Sequence, residues 1–231
     1  DTSLTWGSGT QGTGWTLSNS NKTATYSVGS SAYASVYTQS LNASTTYSFT
    51  LTVTAADNYC GWFFQDATAF PGGSGYHPDE RGGDSMGLRA NESSLGTYGT
   101  FATANSTSDG QNQISGFGDV DPINGAKIDF VIDMSNRKVW VKAHTATGWI
   151  GGGDPTNTSS TASLLLPSGA IYFGCNGYTT GFIYVMDPLV TASATGVNSF
   201  YLPMDGNTLI GEDKSGKGNN WTPVNFGGST V

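Results

Sequence analysis

Apolar and polar residues alternate with a period of two along much of this chain. The clearest run is Ile128-Asp129-Phe130-Val131-Ile132, in which Ile128, Phe130 and Ile132 share one face of a strand. Val139 and Val141 continue a second strand after the polar stretch Asp133-Met134-Ser135-Asn136-Arg137. Asp and Asn in such a stretch bond their own backbone or adopt left-handed angles, so the pattern predicts a β-hairpin. Trp140 and Lys138 fall on the opposite face, where the indole either covers the sheet or helps form an outer surface.

The same period runs through Tyr26, Val28, Ala34 and Val36, and again through Tyr47, Phe49, Leu51 and Val53. Residues 60–64 form a short apolar run expected to be a central strand, and strands are also expected at 86–89, 98–102, 164–166, 170–173 and 181–185. The glycine-rich run 7–14 between Trp6 and Trp15 reads as a loop. No dozen residues carry a helical period with caps. Short strands separated by turn residues predict an all-β, antiparallel two-sheet β-sandwich of jelly-roll type.

Composition narrows the function. Charged residues make up 11% of the 231 residues, against roughly 25% in an average globular protein. Aromatics at 12% and the β-branched runs oppose disorder. A net charge of −8 with nine basic residues opposes a nucleic-acid partner, which requires clustered Lys and Arg. No segment reaches the ~18 apolar residues of a membrane-spanning helix, and membrane insertion is not expected. Six Asn-x-Ser/Thr triplets are a chance yield of so much Ser, Thr and Asn.

Two stretches break the strand pattern. Residues 65–84 are long for a loop and hold many of the ionisable groups of a charge-poor chain, which makes them the leading site candidate. Residues 145–161 form the second loop. Tyr76, His77, Asp79, Arg81 and Asp84 in the first, with Trp149 and Asp154 in the second, combine aromatic faces with planar polar groups. Sugar recognition needs both. The bland alternative is that Trp149 and Asp154-Pro155 only lock their own loop.

Catalysis finds little support. A glycosidase needs two carboxylates about 5–10 Å apart, and no Glu-x-Asp-x-Glu strand exists among the three glutamates Glu80, Glu92 and Glu212. Asp129 and Asp133 share a face, but Asp133 is expected to serve the turn. No nucleophile elbow or phosphate loop occurs, and His77 and His144 lack metal-ligand spacing. No enzyme, metal or cofactor is therefore expected. Calcium on Asp205, Asn207 and Asp213 is a weak exception, because a polar turn explains those residues equally well.

The hairpin KIDFVIDMSNRKVWV, the loop Trp149-Ile150-Gly151-Gly152-Gly153-Asp154-Pro155 and the tail FYLPMDGNTLIGEDKSGKGNNWTPVNFGGS carry a resemblance. The hairpin resembles that of SPRY-like modules in the concanavalin A-like sandwiches. Loop and tail are similar to segments of large marine bacteriophage virion proteins. Thr16-Leu17-Ser18-Asn19, Ala34-Ser35-Val36 and the run starting at Tyr47 resemble the opening strands.

The resemblance implies a SPRY-like sandwich over 1–197 and a Gly/Asn-rich segment over 198–231 that starts or links to a further module. It implies an extracellular virion location and a non-enzymatic role in binding a host cell-surface glycan or protein from a tail fibre or similar appendage. Other virion subunits, including further copies of the chain, are expected partners. The alternatives are a purely architectural fibre or capsid-decoration module, and a secreted polysaccharide-degrading enzyme or lectin. Virion assembly in a reducing cytoplasm implies that Cys60 and Cys175 are buried free thiols. The start at Asp1 and the end at Val231 read as those of an excised piece of a longer protein.

Overall fold

The computed structural model describes residues 4–28, 34–54, 60–66, 85–89, 94–98, 114–115, 117, 120–178 and 180–189. The chain divides into two compact units, Asp1–Leu189 and Val190–Val231. All described residues lie in the first; the expected boundary at 198 and the calcium candidates Asp205, Asn207 and Asp213 lie outside them.

Among the described residues fourteen strands form in chain order: β1 Trp6–Gln11, β2 Trp15–Ser18, β3 Thr23–Tyr26, β4 Ala34–Thr38, β5 Thr46–Thr54, β6 Gly61–Gln65, β7 Ser85–Arg89, β8 Ser94–Tyr98, β9 Ile114–Ser115, β10 Lys127–Asp133, β11 Lys138–Ala143, β12 Leu164–Leu165, β13 Tyr172–Gly177 and β14 Ile183–Pro188. They build two seven-stranded sheets, ordered β12-β11-β10-β5-β14-β3-β2 and β1-β4-β13-β6-β7-β8-β9, and every pairing is antiparallel.

The predicted hairpin is β10–β11, joined in register from Ile128↔Ala143 to Asp133↔Lys138. Its turn is held by Asp133, which accepts the Asn136 backbone N–H at 3.0 Å and the Asn136 side-chain amide at 2.6 Å. Arg137 closes it with a left-handed φ of 55°. The nine-residue β5 pairs with the other side of β10. This places Phe49 beside Phe130 on the inner face, with ring centroids 5.1 Å apart.

The second sheet answers with Trp62, Phe64 and Phe173. Each meets Phe130 edge-on, Trp62 at 5.1 Å and Phe173 at 5.3 Å. Strand alternation thus explains the core: the period-two apolar face of each sheet becomes one shared interior.

Two sequence expectations are corrected, and a third falls partly outside the described residues. The glycine-rich run after Trp6 contains β1, whose pairing with β4 shifts register between Trp6 and Gln11. A bulged edge strand tolerates Gly where a regular apolar period would not. A strand covers Ser94–Tyr98, and residues 99–102 of the strand expected at 98–102 lie outside those described. The strand expected at 170–173 starts at Tyr172 and continues to Gly177, because β4 and β6 pair with it on both sides.

Both cysteines are free and buried, and Cys60 Sγ lies 2.8 Å from the Pro122 carbonyl oxygen. Neither is expected to react with a water-soluble disulfide reagent until the domain unfolds, because both have 0% exposure. Thiol titration with and without denaturant checks this; labelling of the native domain at the rate of a free thiol would contradict it.

Candidate functional site

The hairpin's outer face carries the polar groups. Asp129 projects there, opposite Thr50 on β5 and Lys142 on β11. Only 2% of Asp129 is exposed, so its charge requires partners. Thr50 Oγ1 donates to Oδ1 at 2.8 Å, His144 Nδ1 lies 2.8 Å from the same oxygen, and Lys142 Nζ is 3.7 Å from Oδ2. His144 follows β11 directly, and its backbone N–H donates to the Lys127 carbonyl. Its side chain is 43% exposed. With Nδ1 turned to the buried carboxylate, Nε2 is the nitrogen left to face outward.

Next to this pair lies an open cleft of about 400 Å³, lined by residues 121, 123–127 and 143–145. One wall is a short segment pinned to the core from below. Trp62 Nε1 donates to the Val120 carbonyl at 3.2 Å, Cys60 Sγ meets that of Pro122, and Gly125 and Ala126 exchange backbone bonds with Val53. Gly125 turns at φ 83°, with open space where a Cβ would sit. The segment carries Ile123, 47% exposed, at the lip. Lys127 and His144 project from the strand ends, and the volume falls in the range of small-ligand sites.

The second long loop does different work. It lies over the outer face of β11, where Trp140 is fully buried and donates from Nε1 to the Thr161 carbonyl at 2.8 Å. The alternatives for this indole resolve into packing under a loop. Lys138 Nζ donates to the Thr158 and Ser160 carbonyls. Beyond the short β12, the loop also satisfies the edge of β11: Ser163 Oγ accepts from Val141 N and donates to the Ile150 carbonyl, while Ile150 N donates to that of Val141.

Gly151 and Gly152 take left-handed φ values of 84° and 74°. At Gly153 an added Cβ would stand 1.6 Å from the Thr161 carbonyl oxygen. The three glycines are thus the geometry that lets the loop close over Trp140.

Of the sequence-derived candidates, Tyr76, His77, Asp79, Arg81 and Asp84 lie outside the described residues. Trp149 and Asp154 are described, and neither lines the cleft. Lys142 Nζ sits 5.3 Å from the centroid of the Trp149 ring, a cation–π contact that occupies one indole face. Asp154 Oδ1 accepts both the backbone N–H and the hydroxyl of Thr156 at 2.8 Å. Those two bonds, the backbone one first, hold its carboxyl below the usual carboxylate range. Both residues thus make contacts within their own part of the fold.

Nothing in the sequence joins Ile123, Lys127 and His144, the last weighed above as a metal ligand, because their segments, DPINGAK and AHT, are bland in composition and far apart in sequence. An isoleucine between Pro122 and Asn124-Gly125 was the available signal.

No protein-family model matches the sequence, and no curated protein matches it. Among solved structures, the chain is similar to the SPRY domain of human HERC1, with a TM-score of 0.51 and 11% identity over 80% of this chain and 99% of that one. The TRIM65 PSpry domain matches with a TM-score of 0.49 and 12% identity over 80% of this chain and 92% of that one. Stonustoxin matches with a TM-score of 0.41 and 12% identity, over 80% of this chain and 27% of the toxin. The chain has the two-sheet antiparallel sandwich of SPRY domains.

Proposed function

We propose that this chain is a non-enzymatic binding module of a bacteriophage virion, carried on a tail fibre or similar appendage and engaging a glycan or protein of the host surface. The observation that carries the binding reading is the cleft, with an exposed isoleucine at its lip and Lys127 and His144 at its wall. The similarity of the Gly-Asp-Pro loop and the tail to phage virion segments supports the setting. Weak contacts of this size gain strength from copy number on an appendage.

The rival readings fit less well. An acid–base carboxylate must be free to exchange a proton with substrate, whereas Asp129 is buried under Thr50, Lys142 and His144. An architectural module calls for an extended apolar face. Among the described residues, the exposed large hydrophobics are Ile123 and Leu165, each isolated.

The test is binding of labelled, oligomerised domain to intact cells from a panel of marine bacterial strains. Saturable binding that falls about tenfold or more in Ile123→Ser is the expected result, since losing an anchor in a small contact costs about 1–2 kcal/mol. Absence of binding to every strain, with self-association at high concentration, would instead support the architectural reading.

A further inference from the structure

We infer that the cleft selects a carboxylate, presented as an aspartate or glutamate side chain of an acidic peptide segment. This deepens the binding reading above and rests on it. The first ground is charge placement. The protein is acidic overall, yet four of its nine basic residues, Lys127, Arg137, Lys138 and Lys142, lie on the single hairpin β10–β11.

Three of these four cations are held by the domain itself. Arg137 donates to the Pro167 and Gly169 carbonyls, Lys138 to those of Thr158 and Ser160, and Lys142 to Ala146 O while facing Asp129 and the Trp149 ring. Lys127 is the exception: it is exposed, makes no ion pair among the described residues, and lines the cleft.

The second ground is His144. Asp129 fixes its ring through Nδ1, so Nε2 is presented at a set angle on the same wall as Lys127. A ring nitrogen whose partner nitrogen is bonded to a carboxylate is held at a fixed orientation toward a polar group of the ligand. Asp129 acts here as a positioning residue and makes no contact with ligand. The cleft's own carboxylate, Asp121, has a partner already and is not the group left over.

The third ground separates peptide from sugar. Among the described residues the His144 imidazole is the one ring that lines the cleft, and the nearby Trp149 has one face covered by Lys142. The described lining therefore offers a pyranose no Trp, Tyr or Phe platform. Ile123, Ala126 and Ala143 offer aliphatic contact instead, which suits a short side chain and its neighbouring backbone.

The experiment follows backbone amide shifts of residues 123–127 and 144 while the domain is titrated with three probes. These are an end-blocked hexapeptide bearing one aspartate, the same peptide with asparagine, and a galacturonate trimer. The expected result is saturable shifts with the aspartate peptide at millimolar concentration, at least fivefold weaker binding of the asparagine peptide, and no saturation with galacturonate. Lys127→Gln is expected to weaken the aspartate peptide by about fivefold, in line with the loss of one charge-assisted contact.

Lys22→Gln removes a charge away from the cleft and leaves the affinity unchanged. Equal binding of both peptides overturns the carboxylate inference, as does preference for galacturonate or silence of the cleft to all three probes. Cell binding that survives any of those outcomes leaves the module's adhesive role standing, so the two failures are distinguishable.

Discussion

Phe130→Ala is expected to destabilise the domain by about 3–5 kcal/mol, lowering the unfolding temperature by on the order of 10 °C. The ring is 0% exposed and is the point where the two sheets meet. It stacks on Phe49 within its own sheet and takes Trp62, Phe64 and Phe173 edge-on from the other. Truncation removes the buried area of the ring and leaves a void that four rigid aromatics, each fixed by its own strand, collapse into poorly. Thermal unfolding followed by circular dichroism measures the loss. A change below about 1 kcal/mol would mean that the sheets are held elsewhere and that this cluster has been given too much weight.

The second large effect is expected at Gly153. A Cβ placed there would meet the Thr161 carbonyl oxygen at 1.6 Å and Trp140 Nε1 at 2.9 Å. The obstacle is backbone, so no side-chain rotation relieves it. Gly153→Ala therefore lifts the loop from β11 and strips the Trp140 indole of its acceptor. The expected cost is about 2–4 kcal/mol, from lost packing plus a buried donor left unpaired.

Two neighbours serve as internal comparisons. Gly148 has open space around its Cβ position and no left-handed φ, so Gly148→Ala is near neutral. Gly152 also has space but sits at φ 74°, so alanine there costs only the roughly 1–2 kcal/mol of left-handed backbone. Unfolding temperature and solvent exchange of the Trp140 indole N–H report on all three. Equal, small effects at 148 and 153, with the indole still protected, would contradict the arrangement.

How far the sequence speaks depends on how local the cause is. The hairpin was legible because its two determinants, alternation of Ile128, Phe130 and Ile132 and an Asp-initiated turn, lie within a few residues of each other. The turn role expected of Asp133 rests on a partner three positions away, Asn136, and the structure has that contact.

β1 was not legible, since Gly7 and Gly9 supply no period and the strand exists through its pairing with β4. The burial of Trp140 depends on Thr161, in a loop whose path no local pattern encodes. The cleft is more remote still: its walls come from residues 121–127 and 143–145, and what joins them is the register of β10 with β11. Trp149 and Asp154 illustrate the reverse case. Their residue types alone suggest sugar recognition; what the fold adds is that Lys142 covers one indole face and Thr156 bonds one carboxylate oxygen.

The sheets' outermost strands bear on crowding. β12 and β9 have two residues each, β2 has four, and β1 is interrupted by its register shift. Long, regular, unpaired strands invite a neighbouring chain to add itself to the sheet. Among the described residues each border is short or irregular and so suits such addition poorly, and on β11 the loop's own Ser163 and Ile150 take up the groups that β12 leaves open. Molecules brought close together therefore find, among the described residues, no long and regular strand edge along which their sheets could fuse into one.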